Sequence, residues 1–374
     1  EFEIDYTFGH DPLQQYLIGF PDGRYQALGI AWDTRPDSLG GQRWFHLYPD
    51  QDIAAGDFLH WTQPAQNWNH MCASCHSTNL QKNYDLQSNE FETTWSEINI
   101  ACEACHGPGS QHVAWAERRE AHYEKTGAYL ESSEEEDRGL LLDLSDPNEG
   151  RWAFADTSAI AVRIPPRGSM TELETCAPCH SRRLTIDTVQ AGETFLENHR
   201  LSLLTEDLYY PDGQIRDEVF VYGSFLQSRM AHAGVTCSDC HDPHSLSVGF
   251  SADMACNQCH LPNTFASPTH HFHKPGSTGS SCVACHMPET TYMVVDPRRD
   301  HSIRNPRPDL ALALGVPDAC SGCHQDHPIQ WSWDAYLKWY GEPDTTTTLA
   351  ARTMATAFAD SLRAEEMLGA LAVD

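Results

Sequence analysis

The stretch HHFHKPGSTGSSCVACHMP, residues 270–288, places four histidines and two cysteines within a short segment. Cys282, Cys285 and His286 form one Cys-x-x-Cys-His unit. That unit recurs along the chain as CASCH (72–76), CEACH (102–106), CAPCH (176–180), CSDCH (237–241), CNQCH (256–260), CVACH (282–286) and CSGCH (320–324). The seven units use all 14 cysteines and leave none over. This spacing reads as c-type haem attachment. Two thiols one short turn apart add across the two vinyl groups of one haem, and the next residue reaches the iron as proximal ligand. A disulfide framework needs no histidine after every pair. A zinc ribbon takes two Cys-x-x-Cys pairs per metal, and seven is odd. Redox pairs of thioredoxin type occur singly. The sequence therefore predicts seven covalently attached c-type haems. Their thiols are Cys72, Cys75, Cys102, Cys105, Cys176, Cys179, Cys237, Cys240, Cys256, Cys259, Cys282, Cys285, Cys320 and Cys323. Their proximal ligands are His76, His106, His180, His241, His260, His286 and His324.

The 374 residues carry 53 acidic and 24 basic side chains, a formal charge of −29. Phosphate binding needs a basic surface, so no nucleic-acid partner is expected. The charge reads first as a solubilising surface. Its second reading is the steering of cationic redox partner proteins. It opposes self-association into a filament unless salt or a divalent cation screens it. No run of 18 apolar residues occurs, so no membrane-spanning segment is expected. Covalent haem attachment takes place outside the cytoplasm, which predicts a periplasmic or extracellular location. The opening EFEIDYTFGH carries neither Met nor a leader and reads as the start of a processed or truncated product.

One motif for about 53 residues (374 over seven) leaves little protein for a conventional core. Large apolar haems must form much of the interior. The expected fold is mainly α with much irregular structure, a multihaem cytochrome c fold organised around covalently bound haems, with a small N-terminal β element. Three segments are expected: a β-rich stretch over 1–55, the haem domain with all seven motifs over 56–330, and a helical segment over 331–374. In the first, QQYLIGF-PDG-RYQALGIAWD reads as two strands around a Pro-Asp-Gly turn, and QRWFHLY as a further strand. SQHVAWAERREAHYEKTGAYL reads as a helix, followed by ESSEEED as a solvated loop or helix start. YYPDGQIRDEVFVYGSF reads as a turn and then a strand. The tail from Asp344 is amphipathic and helical with a Thr/Asp N-cap, like the opening of a helical repeat array. Four motifs lie within the 88 residues from Cys237 to His324, close enough to suggest a conduction path.

Fourteen of the 21 histidines lie outside the motifs and can supply sixth ligands. His112 and His244 follow a proximal histidine by six and three residues, and each reads as a cap on a neighbouring haem. His301 follows an arginine-rich turn whose guanidiniums suit haem propionates. His60 lies among tryptophans. His70 and His232 precede a cysteine pair and complete the candidates. His10, His46, His122, His199 and His327 read as ordinary residues. In the opening stretch, an extended backbone assigns His271 and His273 to two different haems and leaves His270 over. A helical backbone would let His270 replace His271.

PLQQYLIGFPDGRYQALGIAWD, HWTQPAQNWNHMCASCHSTNLQKNYD, CEACHGPGSQHVAWA, GSFLQSRMAHAGVTCSDCHDPHS and CHMPETTYMVVDPRRDHSIRNPRPDL resemble a family of bacterial multihaem c-type cytochromes. Members often carry tetratricopeptide-like repeats after the haem domain. The haem part is distantly similar to the nitrifier tetrahaem cytochrome and hydroxylamine oxidoreductase group. The resemblance implies electron transfer, and it implies His60, His112, His244, His271, His273 and His301 as ligands. It also implies a further Cys-x-x-Cys-His upstream, making this chain a fragment of an eight-haem protein.

The leading functional reading is an electron relay through closely spaced, mostly bis-His haems, with polymerisation into a wire as an extension. The alternative is a multihaem oxidoreductase acting on nitrogen or sulfur compounds at one open haem, with Tyr292, Arg298 and Arg299 as pocket groups. No Cys-x-x-Cys-Lys variant occurs, which argues against a lysine-ligated active haem.

Overall fold

The computed structural model describes residues 1–129, 138–187, 189–248 and 250–360. The acidic run 131–137 and the tail 361–374 lie outside the described residues. Contacts divide the chain into two units. One comprises residues 1–144, 189–193 and 291–298, and the other residues 145–188, 194–290 and 299–374.

The first unit opens with an antiparallel sheet of β1 (Tyr6–Phe8), β2 (Leu13–Gly19), β3 (Tyr25–Ala27), β4 (Ile30–Asp33) and β5 (Arg43–His46). The order is β1-β2-β4-β5, with β3 also paired to β2. Alternation along β2 turns Leu13, Gln15 and Leu17 inward. Leu13 joins Ala31, Phe45, Leu47 and Val295 in one buried cluster. Leu17 joins Ala27, Trp68 and Ala73 in another. The expected Pro-Asp-Gly turn joins β2 to β3. Gly23 sits there at φ +79°, and a side chain would collide with the Phe91 carbonyl. The helix Ser110–Thr126 forms as expected and ends on Gly127 in left-handed conformation.

The second unit consists of short helices and small hairpins. The helix Thr171–His180 carries the third motif in its last turn and buries Leu173 and Ala177 against Phe195, Tyr222, Phe225 and Val235. The turn in YYPDGQIRDEVFVYGSF is present, with Gly213 N–H donating to the Tyr210 carbonyl at 2.8 Å. The strand expected after it is replaced by a helical turn, Tyr222–Phe225. Tyr222 and Phe225 are three apart, and a helical turn buries both on one side. Helices Pro308–Leu314, Ile329–Tyr340 and Thr345–Ala359 follow. Asp344 caps the last of these, accepting from the Thr346 and Thr347 amides at 3.3 and 3.4 Å.

Among the described residues, buried apolar side chains group into separate clusters of three to six. That agrees with the small conventional core expected from motif density. No described helix is long and apolar enough to cross a membrane.

Candidate haem centres

Each attachment motif folds as a tight turn. Cys72–His76, Cys102–His106, Cys256–His260 and Cys320–His324 close on Cys N–H bonds to the carbonyl three residues back, at 3.0–3.2 Å. Such single turns place both thiols and the imidazole on neighbouring edges of one helical surface. Cysteine is among the residues most often fully buried. Here none of the fourteen is buried: every one is half-buried or exposed. Pairs of incompletely buried thiols, each pair followed by an imidazole, are the donor set that covalent haem requires.

The first unit holds two motifs. Asn69, fully buried one turn before Cys72, accepts from Tyr25 N–H at 2.7 Å. Its amide donates to the Gly23 carbonyl at 3.1 Å and to Thr93 Oγ1 at 2.8 Å. The first motif is thereby fixed to the β2–β3 turn. Thr78 carries the register on to the second: its hydroxyl donates to the Asn99 carbonyl at 2.8 Å and accepts from Ala101 N–H at 2.9 Å.

The second unit holds the other five, and they form a file. Glu172 accepts from Thr236 Oγ1, Ser238 N–H and Ser238 Oγ at 2.6–2.8 Å, joining the third motif's helix to the fourth motif. Cys176 and Cys237, one from each of these motifs, share a side-chain hydrogen bond. Cys240 lies within electrostatic range of Cys256 and Cys259, which links the fourth motif to the fifth. Asp253 accepts from Cys282 N–H at 2.9 Å and from Ser281 Oγ at 3.0 Å. The thiols of Cys256 and Cys282 share a second hydrogen bond, so the fifth motif adjoins the sixth. Cys285 lies within electrostatic range of Cys320 and Cys323, which brings the seventh motif next.

Three proximal imidazoles have an imidazole from another turn nearby; His324 also has its own neighbour His327 at 6.2 Å, a ring that lies flat on Trp331. Ring centroids are 6.3 Å apart for His241 and His301, 6.2 Å for His286 and His270, and 6.1 Å for His324 and His273. A metal between two imidazoles, with bonds of about 2.0 Å and about 1.15 Å from nitrogen to ring centre, sets the centroids roughly 6.3 Å apart. The three spacings therefore match one iron per pair. Burial lowers the pKa of His301, with His241 contributing, and that of His270, with His286 contributing. Both shifts favour the neutral imidazole, which is the ligating form.

Hydrogen bonds at Nδ1 sort the histidines further. A carbonyl can only accept, so an Nδ1 bonded to one carries the hydrogen and leaves the Nε2 lone pair for metal. His286 donates from Nδ1 to the Arg304 carbonyl at 2.9 Å, and His301 to the Arg299 carbonyl at 2.9 Å. His106 donates to the Leu142 carbonyl at 3.2 Å and His112 to the Arg138 carbonyl at 2.8 Å. His273 donates to the His271 carbonyl. His271 is the reverse case. Its Nδ1 accepts from His273 N–H at 3.1 Å, which puts the hydrogen on Nε2. His46 resembles His271, accepting from Tyr48 N–H at 3.0 Å. His60 Nδ1 pairs with the Thr62 hydroxyl at 2.9 Å and faces the Thr62 amide at 3.4 Å.

The opening stretch is helical where it matters. Pro268–His271 forms one helical turn with Ser267 as N-cap, and Phe272 ends it in left-handed conformation. His270 then faces His286, as the helical alternative allows. Alternate residues of an extended strand share one face. His271 and His273 could not have diverged to two haems without a turn of this kind.

The other candidates lie apart from these pairs. His112 stacks on Trp115 at 5.3 Å, and His60 packs beside Trp61 at 6.2 Å. His70 and His232 are exposed at the ends of single helical turns. His244 is 83% exposed beside Asp242. The arginines of DPRRDHSIRNPRPD are paired with protein carboxylates: Arg298 with Asp296 at 2.6 Å, Arg299 with Glu289 at 2.7 Å, Arg304 with Asp212 at 3.3 Å, Arg307 with Asp309 at 2.6 Å. The place of His270 was signalled by Ser267-Pro268, an N-cap residue followed by proline at the first helical position.

Residues 54–107, which span the first two motifs, match the family model described as cytochrome c554 and c-prime. No curated protein matches the chain by sequence. By structure it is similar to the outer cell wall cytochrome OcwA, with a TM-score of 0.55 and 18% identity over 94% of this chain and 77% of that one. Likeness at that identity concerns the fold alone. The chain has the fold of a multihaem c-type cytochrome, and its family-matched segment carries the first two attachment motifs.

Proposed function

We propose that this protein relays electrons through a close file of c-type haems, seven in the whole chain, exported to the periplasm or beyond the cell. The observation that carries the reading is the set of three imidazole pairs spaced for one iron each, within five consecutively adjoining motifs. His301, His270 and His273 are the distal ligands of the haems held by His241, His286 and His324. His112, with its Nε2 lone pair available, is a further distal ligand. Haem supplies the redox centre, and the chain's residues supply attachment, axial ligation and spacing. Two strong nitrogen ligands on each paired iron leave it no open coordination site for substrate, which suits outer-sphere transfer. Redox partner proteins load and unload the file at its ends. A polymeric wire would extend the relay across copies, and the charge of −29 would make such contacts salt-dependent.

Electron paramagnetic resonance of the purified holoprotein tests this. Low-spin ferric signals from the paired haems, with no carbon monoxide binding to those irons when reduced, are expected. Turnover of nitrite or hydroxylamine at a high-spin haem would favour the oxidoreductase reading and overturn the simple relay.

A further inference from the structure

We propose that Phe272, held by Trp339 and Tyr340, is the positioning residue that sends His270 and His273 to two different haem irons. The inference rests on the bis-His reading above and adds the device that sets it. A helix continued through this stretch would put residues 270 and 273 on one face, since they are three apart. A strand would put 271 and 273 on one face and turn 270 away. Neither period serves His286 and His324 together. The chain breaks both periods at one residue: Phe272 adopts φ +55° and ψ 23° between the two ligands. That conformation is disfavoured for a side chain of this size. Something outside the segment must hold it.

The helix Ile329–Tyr340 supplies the hold. Trp339 lies flat on the Phe272 ring, centroids 4.7 Å apart and planes 2° from parallel. Tyr340 meets the same ring edge-on at 5.6 Å. The Tyr340 hydroxyl also donates to the His270 carbonyl. Trp339 touches the second ligand as well, 6.3 Å from the His273 ring. Gly279 completes the seat, because a side chain there would collide with the His273 ring. One helix thus grips the turn residue and contacts both ligands.

The test uses the full holoprotein with Trp339→Ala, Phe272→Ala and Gly279→Ala, read by spin state, carbon monoxide binding and potentiometric titration. The fold is checked by far-ultraviolet circular dichroism and haem content by mass. Each variant is expected to gain a high-spin ferric signal and carbon monoxide binding over the parent, up to two of the seven haems. Trp339→Phe, which keeps a flat ring, should restore the low-spin state. Tyr340→Phe should move the potential of one haem without loss of its sixth ligand. Parent-like spectra and potentials in all three alanine variants would overturn the positioning role. His270→Ala and His273→Ala separate the two levels. High-spin signals in these with none in the positioning variants would defeat the inference alone. Low-spin spectra in the histidine variants would defeat the ligand reading beneath it.

Discussion

Replacing His270 by alanine tests the ligand assignment most sharply, because its neighbour His271 provides an internal control. The His270 ring stands 6.2 Å from His286, with planes 12° apart. Among the described residues, His271 stacks on no proximal histidine. Its ring meets His273 at 6.4 Å, and its Nδ1 is occupied as an acceptor. On the proposed ligation, removing His270 takes the sixth ligand from one iron of seven. About 14% of the ferric haem (one-seventh) should therefore turn high-spin. The double variant with His273→Ala should reach about 29% (two-sevenths). The His270 ring also meets Phe265 at 5.4 Å and Tyr340 at 6.4 Å. Losing two aromatic contacts costs about 1–3 kcal/mol, so denaturation should begin earlier as well. Magnetic circular dichroism in the near infrared, quantified against total haem, reads the spin fraction directly. His271→Ala should leave it at the parent value. If His271→Ala produced the one-seventh loss and His270→Ala did not, the pairing derived from ring geometry would be refuted.

Other perturbations follow from the same contacts. Asn69→Ala removes four hydrogen bonds from a fully buried side chain and should cost about 2–4 kcal/mol in chemical denaturation. An unchanged midpoint would show that the first motif does not depend on the β2–β3 turn. Asp253→Ala leaves Cys282 N–H and Ser281 Oγ without their carboxylate and should cost about 1.5–3 kcal/mol, measured in the same way. Asp33, solvent-inaccessible and bonded to Arg35 at 2.8 and 2.9 Å, has its pKa lowered chiefly by that guanidinium. A depressed carboxyl stabilises the fold above its unfolded pKa of about 3.9 and loses that contribution as pH falls through the folded value. Asp33→Asn should thus be less stable than the parent at neutral pH, with the gap in melting temperature closing below about pH 4. With a charge of −29, reduction by a cationic partner should slow about tenfold or more between low and high salt, as seen by stopped flow.

The single turns at the seven motifs were legible because covalent attachment would need two thiols and an imidazole in one turn. The β2–β3 hairpin was legible for a similar reason, since Pro-Asp-Gly dictates its own backbone. The Asp344 cap could also be read, because capping needs only the next three residues. Distal ligation was less legible. It depends on which turn faces which proximal histidine across up to 60 residues, as with His241 and His301. Where a local signal existed, at Ser267-Pro268, it pointed to a helical turn and to His270. The helix Ile329–Tyr340 falls almost wholly within the helical segment expected over 331–374, but the role of its aromatic residues went unread, because they are explained only by what they cover. The strand expected before Phe225 lost to burial: Tyr222 and Phe225 both reach the interior from a single helical turn, which a short strand would not allow.

The acidic composition has an inner use that net charge conceals. An isolated helical turn of four or five residues is unstable in water, because nucleation fixes several residues for one hydrogen bond. The attachment motifs are turns of this size, and they need outside support. Carboxylates provide much of it, at the N-terminal ends of the turns. Glu172 accepts from Ser238 N–H, Asp253 from Cys282 N–H, and Asp318 from Ser321 N–H at 3.1 Å. These are the orphan amides of each turn, and a negative group there also meets the positive end of the helix dipole. Glu172 and Asp253 come from the preceding motif's helix, so each cap also fixes the distance from one motif to the next. Changing such a residue to its amide should therefore affect more than stability. It should alter the coupling between adjacent haems, seen as a changed splitting of their midpoint potentials, before it alters the ligation of either.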